Sequence, residues 1–368
     1  MVQSPVLTRW ARVTTAAANP LYFTAFLAFA ALAVTVLKTG IGIHPEWHRL
    51  LDGAIHWQDI SQSPLLAEGD ASLRSNVVES WLSGALGFQS PKRYLTFAMV
   101  LAAIAIVLPI ALAYRKDNTQ RVKLAFIFVA GGSLAPIALS WIGGYDAVSI
   151  ITLITAVMVR KQWISLIAWF VLAMNHAPVA LLAFLAWVPI PLVIWKRDAT
   201  ARIVTSALAT IAGAGAMHVI TNAWGGSTDR FALFTAIPFD ALWHAYITML
   251  PITVFSILGI GWIVLADRSL RRSTIGKVLI IESLAISLLI PLIAIDATRI
   301  AGMIALAPIF TWIAHAQLNT PATERIWRRT WLIAAIVPIF MVWQGAILHP
   351  GWGNIDLVQR AFDGQVIR

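Results

Sequence analysis

The chain alternates between long apolar stretches and short polar segments, and this alternation predicts a bundle of membrane-spanning helices. A helix rises about 1.5 Å per residue, so crossing the ~30 Å hydrocarbon layer takes about 20 apolar residues. By that measure the sequence predicts about eleven spans, over residues 20–37, 94–114, 124–142, 147–159, 163–174, 178–195, 203–220, 246–266, 278–295, 300–314 and 331–348. We therefore expect an all-α, polytopic membrane protein with a single transmembrane domain over residues 1–368.

The charged residues give these spans a predicted orientation. Eighteen of the 27 Lys and Arg residues fall on one side, which the positive-inside pattern makes cytoplasmic together with the N-terminus. Seven of the eight His and twelve of the 17 Asp and Glu residues fall on the other side. The chain has no cysteine, which fits a bacterial inner membrane whose outer loops meet an oxidising space. We therefore expect any chemistry at the outer, periplasmic face.

One predicted turn decides the orientation of the second half of the chain. If residues 163–195 formed one long span, every later loop would change sides and the basic residues would lie outside. A break at Asn175-His176-Ala177-Pro178 avoids this. Pro178 supports the break, because the residue before a proline is driven out of helical geometry. The sequence therefore predicts two short spans on either side of His176.

The composition agrees with a membrane protein rather than a nucleic-acid-binding one. Hydrophobic residues make up 59% of the chain and charged residues 12%, whereas soluble domains carry about a quarter charged residues. The net charge of +10 comes from residues in short loops between apolar spans. The positive-inside pattern accounts for it, so membrane lipids and not nucleic acids are the expected partners.

Several polar residues lie at the predicted outer ends of spans. Asp146 and Asn175 are each 14 residues from the basic pair Arg160-Lys161, which places them ~21 Å above it. A carboxylate at that depth is costly unless it faces water or a partner. We therefore expect Asp146, Asn175 and His176 to meet in a cavity open to the outside. The alternative is a helix-capping aspartate and a structural Asn-His turn.

Three further residues are candidates for the same region. Asp296 and Arg299 have the i, i+3 spacing of a helical ion pair. A buried arginine with its fork free would bind phosphate, whereas a self-contained pair would only hold the turn. His218 lies 16 residues beyond Arg202 and is either part of the cavity or a structural histidine.

The first outer segment, residues 38–92, carries the densest set of possible acid–base groups. It contains Glu46, Asp59 and Asp70, any of which could act as a general base above a lipid-borne substrate. Apolar residues recur at helical spacing over 77–85 and predict an amphipathic helix lying on the membrane. The alternative is a solvated loop with ordinary charges.

These features resemble the C-type (GT-C) membrane glycosyltransferases, which use polyprenyl-phosphate sugars. The resemblance rests on the long acidic first outer loop, on WIGGYDAVSIITLITAVMVRKQW (141–163), and on HRLLDG (48–53) with LLAEGD (65–70). It covers about the first half of the chain. The chain departs from the family in having His-Pro-Glu46, and no Asp-Asp or Asp-Glu pair, after the first span.

The resemblance implies inverting transfer of a sugar from a lipid-linked donor to a glycan or lipid acceptor. Asp59 or Glu46, with Asp70 third, would deprotonate the acceptor hydroxyl, and Arg299 with His176 would hold the departing phosphate. No cofactor is expected, although a divalent metal stays possible. The alternatives are a polysaccharide polymerase, a flippase or transporter of lipid-linked sugars, and a purely structural membrane subunit.

Overall fold

A computed structural model gives the architecture of the protein and describes residues 19–65, 78–224, 239–294, 296–318, 320–343, 346–348 and 355–364. It is about 81% helical, which confirms the all-α class. The helices are α1 (Pro20–Thr39), α2 (Trp47–Ile55), α3 (Val78–Ala85), α4 (Pro91–Ala113), α5 (Gln120–Gly131), α6 (Leu134–Ser140), α7 (Asp146–Met158), α8 (Gln162–Trp187), α9 (Pro189–Trp195), α10 (Ala199–Ala223), α11 (Phe239–Leu258), α12 (Gly261–Leu265), α13 (Arg268–Arg272), α14 (Thr274–Leu289), α15 (Ala297–His315), α16 (Thr320–Ile336) and α17 (Ile355–Phe362). The strands β1 (Met341–Trp343) and β2 (Ala346–Leu348) pair antiparallel.

Long apolar helices indicate a membrane-embedded protein. Within the described ranges, five helical stretches are long and apolar enough to cross a membrane: Pro20–Thr39, Pro91–Ala113, Gln162–Ala223, Thr274–Leu292 and Ala297–His315. A sixth is added if α5 and α6, which meet at a 50° bend, form one span. The predicted count of about eleven spans is not confirmed. Some predicted spans are short helices, such as the 13-residue α7, which extends only about 20 Å.

Helix α15 lies at the centre of the bundle. Its apolar stretch is 94% buried, and it contacts α7, α8, α11 and α14. A helix that is apolar on every side is stable only when it is surrounded by other elements or by lipid. The first residues of α15, including Arg299, are buried along with the rest.

The predicted break at His176 is present and reverses the chain direction. His176 has non-helical dihedral angles inside α8 (φ −153°, ψ 76°). The Trp169 and Trp187 ring centroids lie 5.6 Å apart, whereas 18 residues of straight helix would separate them by about 27 Å. The two halves of α8 therefore form a helical hairpin with Asn175 and His176 at its tip.

The first outer segment is anchored to the bundle by backbone pairing. After α1 ends, the Gly42 and His44 amides donate to the carbonyls of Leu139 and Ile142 at 2.8 and 2.9 Å, and the Ile142 amide donates to Gly42 at 3.0 Å. A Cβ on Gly42 would lie 2.3 Å from the Ser140 carbonyl oxygen, so this close approach requires glycine. The pairing brings His44 beside the 141–146 turn.

Helix α3 lies where the sequence predicts an amphipathic helix, and it buries polar as well as apolar side chains. The buried side chains include Glu79, Ser80 and Ser83, whereas Leu82 is exposed. Ser80 Oγ donates to the Leu50 carbonyl of α2 at 2.8 Å. The face of α3 that carries Glu79, Ser80 and Ser83 therefore packs against protein, together with Val78.

The last predicted span, 331–348, is wrong as a continuous helix. Helix α16 ends at Ile336 and is followed by the β1–β2 hairpin. The Val342 amide donates to Thr298 Oγ1 at 2.7 Å, and that hydroxyl donates to the Val342 carbonyl at 3.2 Å. The hairpin is thereby fixed to the start of α15, one residue from Arg299.

Candidate functional site

A set of buried polar side chains gathers where α7, α8 and α15 meet the first outer segment, which includes α3. We call it the buried polar cluster; its members are His44, Glu79, Tyr145, Asp146, Asn175, His176, Asp296 and Arg299, all buried. They come from four separate parts of the chain. Such a concentration of ionisable groups away from water is costly, so their mutual contacts decide whether it is structural or functional.

Arg299 is the charge centre of the cluster. Its Nη1 donates to both carboxylate oxygens of Asp146 at 3.2 and 3.1 Å, and its Nε pairs with Asp296, the residue that precedes α15. The guanidinium also contacts the Tyr145 hydroxyl at 3.4 Å and lies 4.3 Å from the centroid of the Trp141 ring. The predicted i, i+3 pair is present, but the fork is not free, because a second carboxylate occupies it.

The tip of the α8 hairpin reaches the same place. Asn175 Nδ2 donates to the Tyr145 carbonyl at 3.0 Å and to Ser149 Oγ at 2.9 Å. The His176 and Tyr145 ring centroids lie 5.6 Å apart in an edge-to-face arrangement. The depth argument thus placed Asp146, Asn175 and His176 together correctly, but they are enclosed rather than open to the outside, because the first outer segment covers them.

A tight turn aims Tyr145 and Asp146 into the cluster. Gly143 has φ 82°, a left-handed conformation that favours glycine, and its carbonyl accepts the Tyr94 hydroxyl at 3.1 Å. At Gly144 a Cβ would lie 2.9 Å from the His44 ring, so a side chain there would displace the histidine. The two glycines of the sequence WIGGYD therefore permit both the turn and the close packing of His44.

His44 is held in its neutral form. Burial, followed by the positive charge of Arg299 and the neighbouring His48, lowers the pKa of His44 to about 3. Its Nδ1 accepts the backbone N–H of Glu46 at 3.1 Å, and its ring lies edge-on to Trp141 with centroids 5.2 Å apart. His44 therefore adds no charge to the cluster at neutral pH.

Glu79 is the functional candidate that the sequence did not single out. Its side chain is completely buried, and neither carboxyl oxygen has a hydrogen-bond partner among the described residues. Burial, reinforced by the negative charge of Asp146, raises the pKa of Glu79 well above its ordinary value. The sequence feature that could have indicated its burial is the group of small residues Ser80, Ser83 and Gly84 on α3, because small residues allow a helix face to pack closely.

The carboxylates favoured from the sequence have local partners. Asp59 is exposed and accepts the Ser61 amide at 3.2 Å and Gln62 Nε2 at 2.8 Å, so it caps the short 3-10 helix Ile60–Gln62. These bonds, that of the Ser61 side chain first, lower the pKa of Asp59. Glu46 pairs with Arg49 on α2. Asp70 lies outside the described residues.

His218 does not join the cluster. It is exposed on α10 and contacts Asn222 at 3.0 Å, whereas the neighbouring Met217 is buried. Successive helical residues point about 100° apart. The spacing from Arg202 therefore gives the depth of His218 along α10, but not the face of the helix on which it lies.

The chemistry available to the cluster is proton transfer beside a fixed positive charge. Asp146 and Asp296 share the guanidinium of Arg299, and the negative charge of Asp146 adds to burial in raising the pKa of Glu79. In the part of the chain that the structure describes, no group of three or more His, Asp or Glu side chains is arranged to hold a metal ion. A carboxyl whose pKa is raised by burial is a common form of general acid or base.

Comparison with protein-family models, with curated proteins and with solved structures gave no significant match.

Proposed function

We propose that this chain is a membrane glycosyltransferase that moves a sugar from a polyprenyl-phosphate donor to a cell-envelope glycan or lipid acceptor. The observation that carries the proposal is Glu79, a fully buried carboxyl without a hydrogen-bond partner in the described structure, beside Asp146 where the first outer segment meets the bundle. The charge asymmetry of the sequence supports a bacterial inner membrane with this region at the periplasmic face.

In the proposed reaction, the small ionised fraction of Glu79 accepts the proton of the acceptor hydroxyl as the hydroxyl oxygen attacks the anomeric carbon of the sugar. The bond between the sugar and the phosphate breaks, and the lipid phosphate leaves with the electron pair. A base with a raised pKa suits this role because it binds the transferred proton firmly. Asp146 contributes by keeping the affinity of Glu79 for protons high.

Arg299 has a positioning role in this proposal rather than that of a free phosphate clamp. Its donors are directed to Asp146, Asp296 and Tyr145, so it would reach a phosphate only by releasing a carboxylate. It fixes Asp146 and therefore the electrostatic environment of Glu79. In the proposed reaction, the fixed positive charge of Arg299 would stabilise the negative charge that the leaving phosphate gains.

The test is sugar transfer in proteoliposomes supplied with polyprenyl-phosphate sugars and a membrane lipid extract. Glu79→Gln removes the base with little change in volume, and transfer should fall by about 10²-fold or more. Glu46→Gln is the matched control, because it makes the same chemical change on a residue that pairs locally with Arg49. Full transfer in the Glu79→Gln protein, or loss only in Glu46→Gln or Asp59→Asn, would exclude Glu79 as the base.

A transporter or flippase of lipid-linked sugars is the second candidate, and the broken helices favour it. The α8 hairpin reverses at His176, and α5 and α6 meet at a 50° bend. Transporters use interrupted helices to form binding sites near the middle of the membrane. Lipid-linked sugars that cross the bilayer without any sugar transfer would support this function and exclude the enzyme.

A further inference from the structure

A basic groove lies on the side of the molecule that carries the basic loops. Its volume is about 590 Å³, and it is lined by Ile263, Ala266, Asp267, Arg268, Ser269, Arg272, Arg325, Ile326, Arg329 and Thr330. These residues come from two segments that are more than 50 positions apart, around α12–α13 and along α16. The positive-inside pattern explains why basic residues occupy short loops. It does not explain why four arginines converge on one concave surface.

The groove retains unpaired positive charge. Asp267 accepts Arg325 Nη2 on both carboxylate oxygens at 3.1 Å and the Ser269 amide at 2.9 Å, which caps α13. The other three arginines of the lining have no ion pair with any carboxylate in the described structure: Arg268, Arg272 and Arg329. One carboxylate thus fixes one arginine and leaves three guanidinium groups for an anion. Guanidinium groups bind phosphate oxygens in a fork geometry that suits this ligand.

One side of the groove is apolar and continues onto an apolar helix surface. Ile263 lines the groove and is 46% exposed. On α16 the lining residue Thr330 is followed by Trp331 and Leu332, which are also exposed. A ligand that carries both a phosphate and an acyl chain would place its charge in the groove and its chain along this surface. A free phosphate would use only the charged part.

We propose that this groove binds the phosphate headgroup of an anionic phospholipid. The arginines supply the charge and the hydrogen-bond donors, and the adjoining apolar surface of α12 and α16 receives the acyl chains. Basic pockets between membrane helices commonly hold acidic headgroups in this way. This site is separate from the buried polar cluster, so the proposal does not depend on the proposed function.

The experiment measures binding of phosphatidylglycerol to the purified full-length protein by native mass spectrometry, with phosphatidylcholine as the neutral lipid. Arg272→Gln with Arg329→Gln should weaken phosphatidylglycerol binding by about tenfold or more, because each removes charge-assisted hydrogen bonds. Arg271→Gln with Arg328→Gln is the matched control. It removes the same charge from the same two helices, but neither residue lines the groove, and binding should change less than about threefold.

The outcomes separate a headgroup site from general surface charge and from a free phosphate site. Equal losses in the two double variants would overturn the proposal, because they would show only diffuse attraction. Inorganic phosphate that displaces the lipid at equal concentration would also overturn it, by assigning the groove to the free ion. If the glutamine variant fails to fold, Arg272→Lys with Arg329→Lys keeps the charge and loses the fork. That variant should still bind several-fold less lipid than the wild type, and unchanged binding would contradict the proposal.

Discussion

Replacing Glu79 with glutamine should stabilise the folded protein at neutral pH, although it removes the proposed base. Burial raises the pKa of Glu79 well above its reference value of 4.5, whereas the unfolded chain keeps that reference value. Between the two pKa values the unfolded chain releases a proton that the folded protein holds, so the wild type loses stability as the pH rises. Each pH unit costs about 1.4 kcal/mol, and between pH 4.5 and pH 7 the loss reaches about 3 kcal/mol at most. Glutamine does not titrate and avoids this loss.

The assay is unfolding of the full-length protein in mixed micelles by SDS titration, followed by tryptophan fluorescence near pH 4.5 and near pH 7. The comparison between the two proteins isolates Glu79, because His44 titrates equally in both. Glu46→Gln serves as the control and should change the unfolding free energy by less than about 1 kcal/mol, since its pair with Arg49 is partly exposed. A Glu79→Gln protein that is no more stable than the wild type near pH 7 would refute the reasoning. So would a stabilisation that is equally large near pH 4.5.

Three further predictions concern the framework of the bundle. Arg299→Met should lower the unfolding free energy by about 3–5 kcal/mol, because it leaves buried carboxylates unpaired; adding Asp146→Asn should restore part of the loss in the same titration, and a further loss would contradict the pairing. Lys38→Met should cost at least about 2 kcal/mol, because Lys38 Nζ donates to three helix-end carbonyls; a neutral result would show that these carbonyls find other donors. Trp169→Cys with Phe184→Cys, in a chain without cysteine, should be bridged by a short bis-maleimide, because the two rings lie 5.8 Å apart; an uncross-linked product would indicate a straight helix.

The buried polar cluster shows how far the sequence could lead. The helical rise and the hydrocarbon thickness placed Asp146 and Asn175 at equal depth. In the structure, Asn175 donates to the carbonyl of Tyr145, the residue before Asp146. The Asp296–Arg299 pair needed only helical spacing. The second partner of Arg299 could not be inferred, because Asp146 is 153 positions away and packing of helices decides which residues at one depth are neighbours.

Glu79 shows where the reasoning failed. Hydrophobic patterning assigns the apolar residues of a helix to the core, whereas α3 buries Glu79, Ser80 and Ser83 along with Val78. A carboxylate in a polar loop is normally solvated, so nothing in the residue pattern favoured Glu79 over Asp59. Helix α2 packs against α3, and Asp146 lies close enough to Glu79 to raise its pKa; both neighbours are brought there only by folding.

The sequence by itself determined three properties: the all-α membrane class, the loops in which the basic residues concentrate, and the break of the chain at His176. These properties depend on composition, local spacing and the geometry imposed by Pro178. The tertiary structure decided that the first outer segment closes over the polar residues, that Arg299 joins two carboxylates, and that Glu79 is buried without a partner among the described residues. The physical reason is that depth along a helix can be counted from the sequence, whereas the direction in which a helix face points is set by the elements that pack against it.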